Sequence, residues 1–441
     1  MSAITVGIIA LVLFLILMFC GVAIPFSMLF CGAIGIAIIK TPVVASQIVV
    51  SELLKLFSSY TLTVCPMFGL MGFLACYTGV GSRLFEAINS FLSHRRGGLA
   101  MATQVACAGF GAICGSVPAT IATMASIAYP EMRARKYMPN LAGTCIAAGA
   151  VLAVLIPPSS NFIIYGLATE TSIGRLFLSG IIPGIMLTIL NMLAVVFIGK
   201  RHPDWAPVAE KQSWAKRWDS ILHGGLIEVA FVFIISMGGM FAGFFTPTEA
   251  GAVGAFGMLL ITIITRKVDF KKFMDALMSG ARLAAMVFLL LACANIFGTM
   301  FTVSGIPIAL GKIVTTLDAP RWGIMLVILV IYFLLGMVAD LLAMMLVTLP
   351  IFFPIVCGTL GYDPIWFGVI LTMLIAIGGI TPPVGNGIFL VKGCIPADDK
   401  EATISALFSG VWPFVAAALI AIFILLAFPQ IATWLPELVY G

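Results

Sequence analysis

The residues able to do chemistry sit in four short polar interruptions of otherwise apolar sequence. The first is Cys114-Gly115-Ser116-Val117-Pro118, with Thr120 just beyond it. The second is Leu155-Ile156-Pro157-Pro158-Ser159-Ser160-Asn161. The third is Val338-Ala339-Asp340, and the fourth is Gly379-Ile380-Thr381-Pro382-Pro383-Val384-Gly385-Asn386-Gly387. Hydroxyls, amides, one carboxylate and backbone carbonyls are the oxygen ligands that hard cations prefer. Proline lacks an N–H and clashes with the carbonyl one turn back. A helix broken at Pro157-Pro158 therefore frees the carbonyls of Ala153 and Val154, and one broken at Pro382-Pro383 frees those of Gly378 and Gly379. The half-helix that restarts after each break points its positive end at the gap, which favours a carboxylate. Asp340 has two open roles, charge partner of a bound cation or N-cap of the following helix. Glu249, after Thr246-Pro247-Thr248, reads as part of a helix start. Arg282 reads as a side chain reaching for the membrane surface, and Glu228 is assigned no role.

Apolar runs of the length needed to cross a bilayer fall at roughly 4–22, 24–40, 48–77, 97–130, 141–166, 176–199, 221–243, 248–265, 274–302, 321–356, 365–391 and 405–428. Runs 97–130 and 321–356 are too long for one helix and are interrupted mid-way, so each is expected to be a re-entrant helical hairpin. Irregular backbone at that depth is tolerated only inside protein or beside a watery cavity. The N-terminal run lacks a basic flank and a small-residue cleavage site and is expected to be a first membrane helix.

The two halves repeat. Tyr129-Pro130 matches Phe353-Pro354 at an offset of 224, Pro157-Pro158 matches Pro382-Pro383 at 225, and Ser179-Gly180 matches Ser409-Gly410 at 230. The order is hairpin, Pro-Pro break, helix each time. Five crossings between the hairpins predict that the second enters from the opposite face, an inverted repeat with its site near the midplane. Placing the loops around 81–96, 131–140, 200–220, 266–273 and 392–401 in the cytoplasm puts 17 of the 23 basic residues there, Lys211, Arg266 and Lys267 included. Both termini are then periplasmic. Trp205, Trp214 and Trp218 among basic residues make 200–219 an expected interfacial segment.

The chain thus reads as an all-α polytopic membrane protein with an inverted structural repeat, two re-entrant helical hairpins and two Pro-Pro-broken helices. N-terminal scaffold helices cover 1–95, and the first half of a transport domain covers 96–175. Scaffold helices follow at 176–285, the second transport half at 286–400 and a C-terminal helix at 401–441. Composition agrees: 62% of the 441 residues are hydrophobic and only 9% charged, against about 25% charged in a soluble domain. Nucleic-acid binding is excluded despite the net charge of +5, because the basic residues are spread over short loops. The ten cysteines form no Cys-x-x-Cys pair, and His94, His202 and His223 are scattered, so no zinc site or disulfide framework is expected. No phosphate-binding Walker loop and no Gly-x-Ser-x-Gly or His-Glu-x-x-His motif occurs, which argues against a nucleotide-driven pump or an enzyme.

Four pieces in order, Gly115-Ser116…Pro130-Glu131-Met132, Leu155-Ile156-Pro157-Pro158-Ser159, Phe245-Thr246-Pro247-Thr248-Glu249-Ala250 and Ile380-Thr381-Pro382-Pro383-Val384-Gly385, resemble the large membrane subunit of tripartite ATP-independent periplasmic (TRAP) transporters. The resemblance implies an elevator-type ion transporter fold and a Na⁺-coupled elevator importer in the bacterial inner membrane. It would take a small organic acid, of the sialic acid or C4-dicarboxylate type, from a periplasmic substrate-binding protein. It also implies a small four-helix membrane subunit, here expected as a separate chain. Carried over by motif position, Na⁺ would lie at Gly115, Ser116 and Pro157 in one half, and at Asp340, Gly379, Thr381 and Gly385 in the other. Substrate would lie near Ser116, Thr120, Ser159, Asn161 and Asn386. Two Na⁺ moving down 100 mV and a tenfold gradient supply about 7 kcal/mol. The alternative reading is a stand-alone, homodimeric cation-coupled carboxylate transporter of related fold.

Overall fold

The structure is a computed structural model that describes residues 2–208, 213–223, 225–265, 268–316, 319–338 and 340–441. The side chains of residues 216, 221 and 223 lie outside that description. So do Lys211, Arg266, Lys267 and Ala339, and with Lys216 they leave part of the charge asymmetry outside the described residues. The described residues are helical throughout, joined by turns, with no strand among them.

Each stretch expected to form a hairpin is two helices parted by a short break. Hairpin 1 has a first arm, Gly98–Cys114, and a second, Val117–Ala134, separated by Gly115 and Ser116. The turn needs a left-handed residue, and Gly115 supplies it at φ 58°. Hairpin 2 has arms Arg321–Gly336 and Leu341–Phe353. The first broken helix runs Pro139–Ala150, tightens into a 3₁₀ turn at Val151–Val154 and restarts as Ser160–Thr169. The second runs Pro364–Gly378 and restarts as Asn386–Cys394. Both Pro-Pro bonds are cis. Among the described residues, five helices are by length and composition able to cross a bilayer, or six if the bent pair Trp412–Ala427 and Gln430–Tyr440 is one span. The shorter apolar helices include the first arms of both hairpins and the first pieces of both broken helices.

The two halves are packed across each other. The second arm of hairpin 1 lies along Asn386–Cys394, and the second arm of hairpin 2 lies along Ser160–Thr169. Within each half, close approach of the hairpin and the broken helix is made possible by glycine. A Cβ on Gly111 would stand 2.8 Å from Ala153 Cα, and one on Gly378 would stand 2.7 Å from the Gly336 carbonyl carbon.

Several expectations need correction. The stretch 81–96 is not simply a loop, because Val80–Leu92 is a helix packed on the first arm of hairpin 1. Its polar residues Arg83, Glu86 and Asn89 recur at helical spacing, so it is amphipathic, and overall hydropathy hides such a helix. The run 48–77 is two helices, Pro42–Phe57 and Val64–Tyr77, joined by a short turn. The helices Ile306–Thr316 and Gln430–Tyr440 were not expected. The interfacial segment is helical over Trp214–His223, with Trp214 and Trp218 exposed and residues 209–212 outside the described set. Arg217 turns inward under Trp214 and Phe91, its guanidinium 5.0 and 5.7 Å from the ring centres.

Candidate functional site

The tip of each hairpin meets the Pro-Pro break of its own half through a backbone hydrogen bond. The Ser160 amide donates to the Gly115 carbonyl at 3.2 Å, and the Gly385 amide donates to the Met337 carbonyl at 3.4 Å. Ser160 and Gly385 are 225 positions apart, the offset that relates the two Pro-Pro pairs. Gly115 is fixed at its position, since a Cβ there would lie 2.2 Å from the Pro158 carbonyl oxygen. Gly115, Pro157 and Ser159 are buried, and Ser116 and Ser160 are half-buried.

The first break is only partly satisfied from within. Ser159 Oγ donates to the Val154 carbonyl at 2.6 Å and caps the restarting helix by accepting from the Phe162 amide at 3.3 Å. Thr120 Oγ1 and Asn161 Nδ2 are buried and lack a hydrogen-bond partner. An unpaired buried polar group costs about 1–3 kcal/mol, so two of them flanking one break mark a place where a polar ligand is expected.

The second break is more closed. Thr381 is buried, and its Oγ1 donates to the Ile377 carbonyl at 2.7 Å. The Gly378 carbonyl accepts from the Thr381 amide at 2.9 Å and the Gly379 carbonyl from the Gly387 amide at 2.8 Å. The expectation that proline leaves the carbonyls of Val154, Gly378 and Gly379 free is therefore corrected: the chain folds back to engage each of them. A carbonyl with one partner keeps a second lone pair for a cation. Gly385 takes φ 59° to restart the helix, and Asn386 is exposed.

Asp340 is exposed and acts as N-cap of the second arm of hairpin 2, its Oδ2 accepting from the Leu342 and Ala343 amides at 3.2 and 3.5 Å. Glu249 closes a capping box: its Oε2 accepts from the Thr246 amide at 2.8 Å, and its own amide donates to Thr246 Oγ1 at 3.3 Å. Glu228 pairs with Arg83 in two contacts of 2.6 Å that tie the Leu226–Phe233 helix to Val80–Leu92. Among the described residues no group of three His, Cys, Asp or Glu could hold a metal. Hydroxyl and carbonyl oxygens are what these breaks offer.

The halves meet where Ile121, beside Thr120, approaches Gly387, beside Asn386: a Cβ on Gly387 would lie 3.9 Å from Ile121 Cδ1. Sequence reasoning missed a set of polar contacts around this core. Gln104 Nε2 donates to the Cys145 carbonyl at 2.6 Å, and Asn191 Nδ2 donates to Gln104 Oε1 at 3.1 Å. Arg133 and Tyr129 reach Asp399 and Glu401, as described below. Gln104 and Asn191, each inside an apolar helix, are the local signals that were present.

Two polar cavities flank these elements. One of about 660 Å³ lies against the second arm of hairpin 1 at Ser126 and Pro130, lined also by Arg83, Glu86 and Arg135. The other, of about 450 Å³, lies against the second arm of hairpin 2 at Pro350 and Pro354, lined also by Glu52, Lys55 and Asn295. Pro130 and Pro354 are 224 positions apart, the offset at which the two halves of the sequence match.

Paired broken helices, paired hairpins and apolar helices around them describe a multi-pass membrane protein. The profile described as "Tripartite ATP-independent periplasmic transporter, DctM component" matches residues 11–431, and the chain belongs to that family. It is similar to the C4-dicarboxylate TRAP transporter large permease protein DctM of Pseudomonas aeruginosa, 34% identical over 87% of each chain. It is 30% identical to the sialic acid TRAP transporter large permease protein SiaM of Vibrio cholerae, over 96% of this chain and 97% of that one. It is also 31% identical to the isethionate TRAP transporter permease protein DctMQ of Oleidesulfovibrio alaskensis, over 90% of this chain, and spans only 62% of that longer relative. Among solved structures, the YdaH transporter of Alcanivorax borkumensis superposes with a TM-score of 0.61 at 16% identity, covering 88% of this chain and 87% of that one. That likeness concerns the fold.

Proposed function

We propose that the chain is the large, ion-coupled subunit of an importer for a small organic anion, driven by Na⁺ and working by an elevator movement in the inner membrane. The observation that carries this reading is the first break, where Thr120 Oγ1 and Asn161 Nδ2 are buried without partners beside the Gly115–Ser160 junction. Na⁺ would be held by oxygens of Gly115, Ser116 and Pro157 in one half and of Asp340, Gly379, Thr381 and Gly385 in the other. The anion would lie between the hairpin tips, near Ser116, Thr120, Ser159, Asn161 and Asn386, where the Ser160–Thr169 helix starts.

The partners proposed are a small membrane subunit and a periplasmic binding protein that delivers the substrate, within a lipid bilayer. The fused name DctMQ of one relative supports a second membrane component. Relatives named for C4-dicarboxylate, sialic acid and isethionate support an acidic cargo, and one named for ectoine supports room for a zwitterion. Co-reconstitution with both partners in proteoliposomes tests the reading. Uptake of a C4-dicarboxylate or sialic acid should follow an inward Na⁺ gradient and stop when choline replaces Na⁺. Equal uptake in choline would refute sodium coupling, and uptake by the chain without the binding protein would favour a stand-alone transporter.

A further inference from the structure

The second arm of hairpin 1 and the helix Asn386–Cys394 come from opposite halves of the chain, yet they run side by side. At the end nearer the breaks they touch where Ile121 faces Gly387. At the other end a single guanidinium joins the arm to the turn that follows that helix, at Asp399 and Glu401. Arg133 Nε donates to Asp399 Oδ2 at 2.7 Å, and Nη2 donates to Asp399 Oδ1 at 3.2 Å and to Glu401 Oε2 at 2.7 Å. Nη1 donates to the Tyr137 carbonyl at 2.9 Å. Tyr129, one turn earlier, donates its hydroxyl to Asp399 Oδ2 at 2.8 Å. All three guanidinium nitrogens are engaged, and Asp399 receives three donors.

The repeat makes this junction one-sided. Phe353 stands where the repeat places Tyr129, and there the crossing is aromatic, with the Phe353 and Tyr165 ring centres 6.3 Å apart. An aromatic contact tolerates sliding, whereas a forked, charge-assisted bond fixes direction and register. A helix rises about 1.5 Å per residue, so the stretch from Thr120 to Arg133, which carries Pro130 inside the helix, spans about 20 Å with the first break near one end and the fork at the other.

We propose that Arg133 is a positioning residue: through Asp399 and Glu401 it holds the two halves in register, so that the break at Pro157-Pro158 and the break at Pro382-Pro383 respond to Na⁺ as one unit. The proposal rests on the sodium-coupled reading above. Arg133 lies outside the residues proposed to hold the ion or the substrate. Its effect is to keep occupancy in one half linked to geometry in the other.

Thermal unfolding of the purified chain in detergent, with NaCl titrated against choline chloride at constant ionic strength, tests this without a substrate. The wild type should be stabilised by Na⁺ along a steep curve with a Hill coefficient above one. Arg133→Lys keeps the charge but loses the fork. Arg133→Lys and Arg133→Gln should both flatten the curve toward a Hill coefficient of one. They should raise the half-saturating Na⁺ about fivefold, the lower end of ordinary coupling between sites. The exchange Arg133→Asp with Asp399→Arg should restore steepness. A steep wild-type curve with equally steep curves in both single variants overturns the proposal while leaving sodium coupling intact. A lower unfolding temperature with unchanged steepness does the same, because it reports a merely structural role. A wild type indifferent to Na⁺ overturns the sodium reading and this proposal with it. If Arg133→Gln does not fold, Arg133→Lys and the exchanged pair decide.

Discussion

The Ser160 amide donates to the Gly115 carbonyl at 3.2 Å, which makes the tip of hairpin 1 and the first Pro-Pro break one structural unit. Each partner is held by its own constraint. Gly115 must be left-handed and carry no side chain, and Ser160 opens a helix whose cap, Ser159, is already committed to the Val154 carbonyl.

Gly115→Ala should therefore disrupt the unit. A left-handed alanine costs about 1–2 kcal/mol, and its Cβ would lie 2.2 Å from the Pro158 oxygen. Size-exclusion yield and unfolding temperature should both fall, with uptake lost. A variant as stable and active as the wild type would show that the tip does not depend on this contact.

Thr120→Val and Asn161→Leu each remove a buried polar group that has no partner within the protein. Stability should hold or rise, because the desolvation cost of an unpaired group is relieved. Substrate affinity should fall about tenfold for each hydrogen bond lost, at roughly 1.4 kcal/mol. Uptake kinetics beside thermal unfolding separate the two effects, and unchanged KM in both variants would remove these residues from the site.

Asp340 can be divided into cap and charge. Asparagine caps a helix as well as aspartate does, whereas alanine costs about 1 kcal/mol. Asp340→Asn should fold normally and need more Na⁺ for half-maximal uptake, and Asp340→Ala should add a loss of stability. Identical Na⁺ dependence in wild type and Asp340→Asn would leave Asp340 as a cap alone.

The Arg133 junction carries its own acid limit. Partial burial raises the Asp399 pKa, but the Tyr129 hydroxyl and the Arg133 guanidinium outweigh it and hold the carboxyl below its ordinary value. A depressed folded-state pKa gives stability that is present above the unfolded value, about 3.9, and is lost as pH falls through the lower folded value. Unfolding temperature should therefore drop as pH is taken below about 4, and Asp399→Asn should remove this part of the dependence. An identical acid limb in that variant would contradict it.

Hairpins and broken helices were legible because proline, glycine and small polar residues are conspicuous inside apolar runs. The Val80–Leu92 helix was not, since charged residues at helical spacing read as a loop when only hydropathy is weighed. The carbonyls of Val154, Gly378 and Gly379 were misjudged for a local reason: Ser159, Thr381 and Gly387 recapture them within a turn or two. The role of Glu249 was half visible, for Thr246 three residues before it is a capping-box spacing. Arg133 carried no local signal, because its partner Asp399 lies 266 residues away.

That separation has a consequence for synthesis. The second arm of hairpin 1 leaves the ribosome long before the helix it must lie against. At 5–20 residues per second, 266 residues take about 13–53 s to translate. During that interval Tyr129 and Arg133 have no carboxylates to meet, and the nascent first half must wait in the insertion machinery or in lipid with one flank uncovered. Cells making this chain thus carry a window of exposure to membrane quality-control proteases that closes only when the last tenth of the polypeptide arrives.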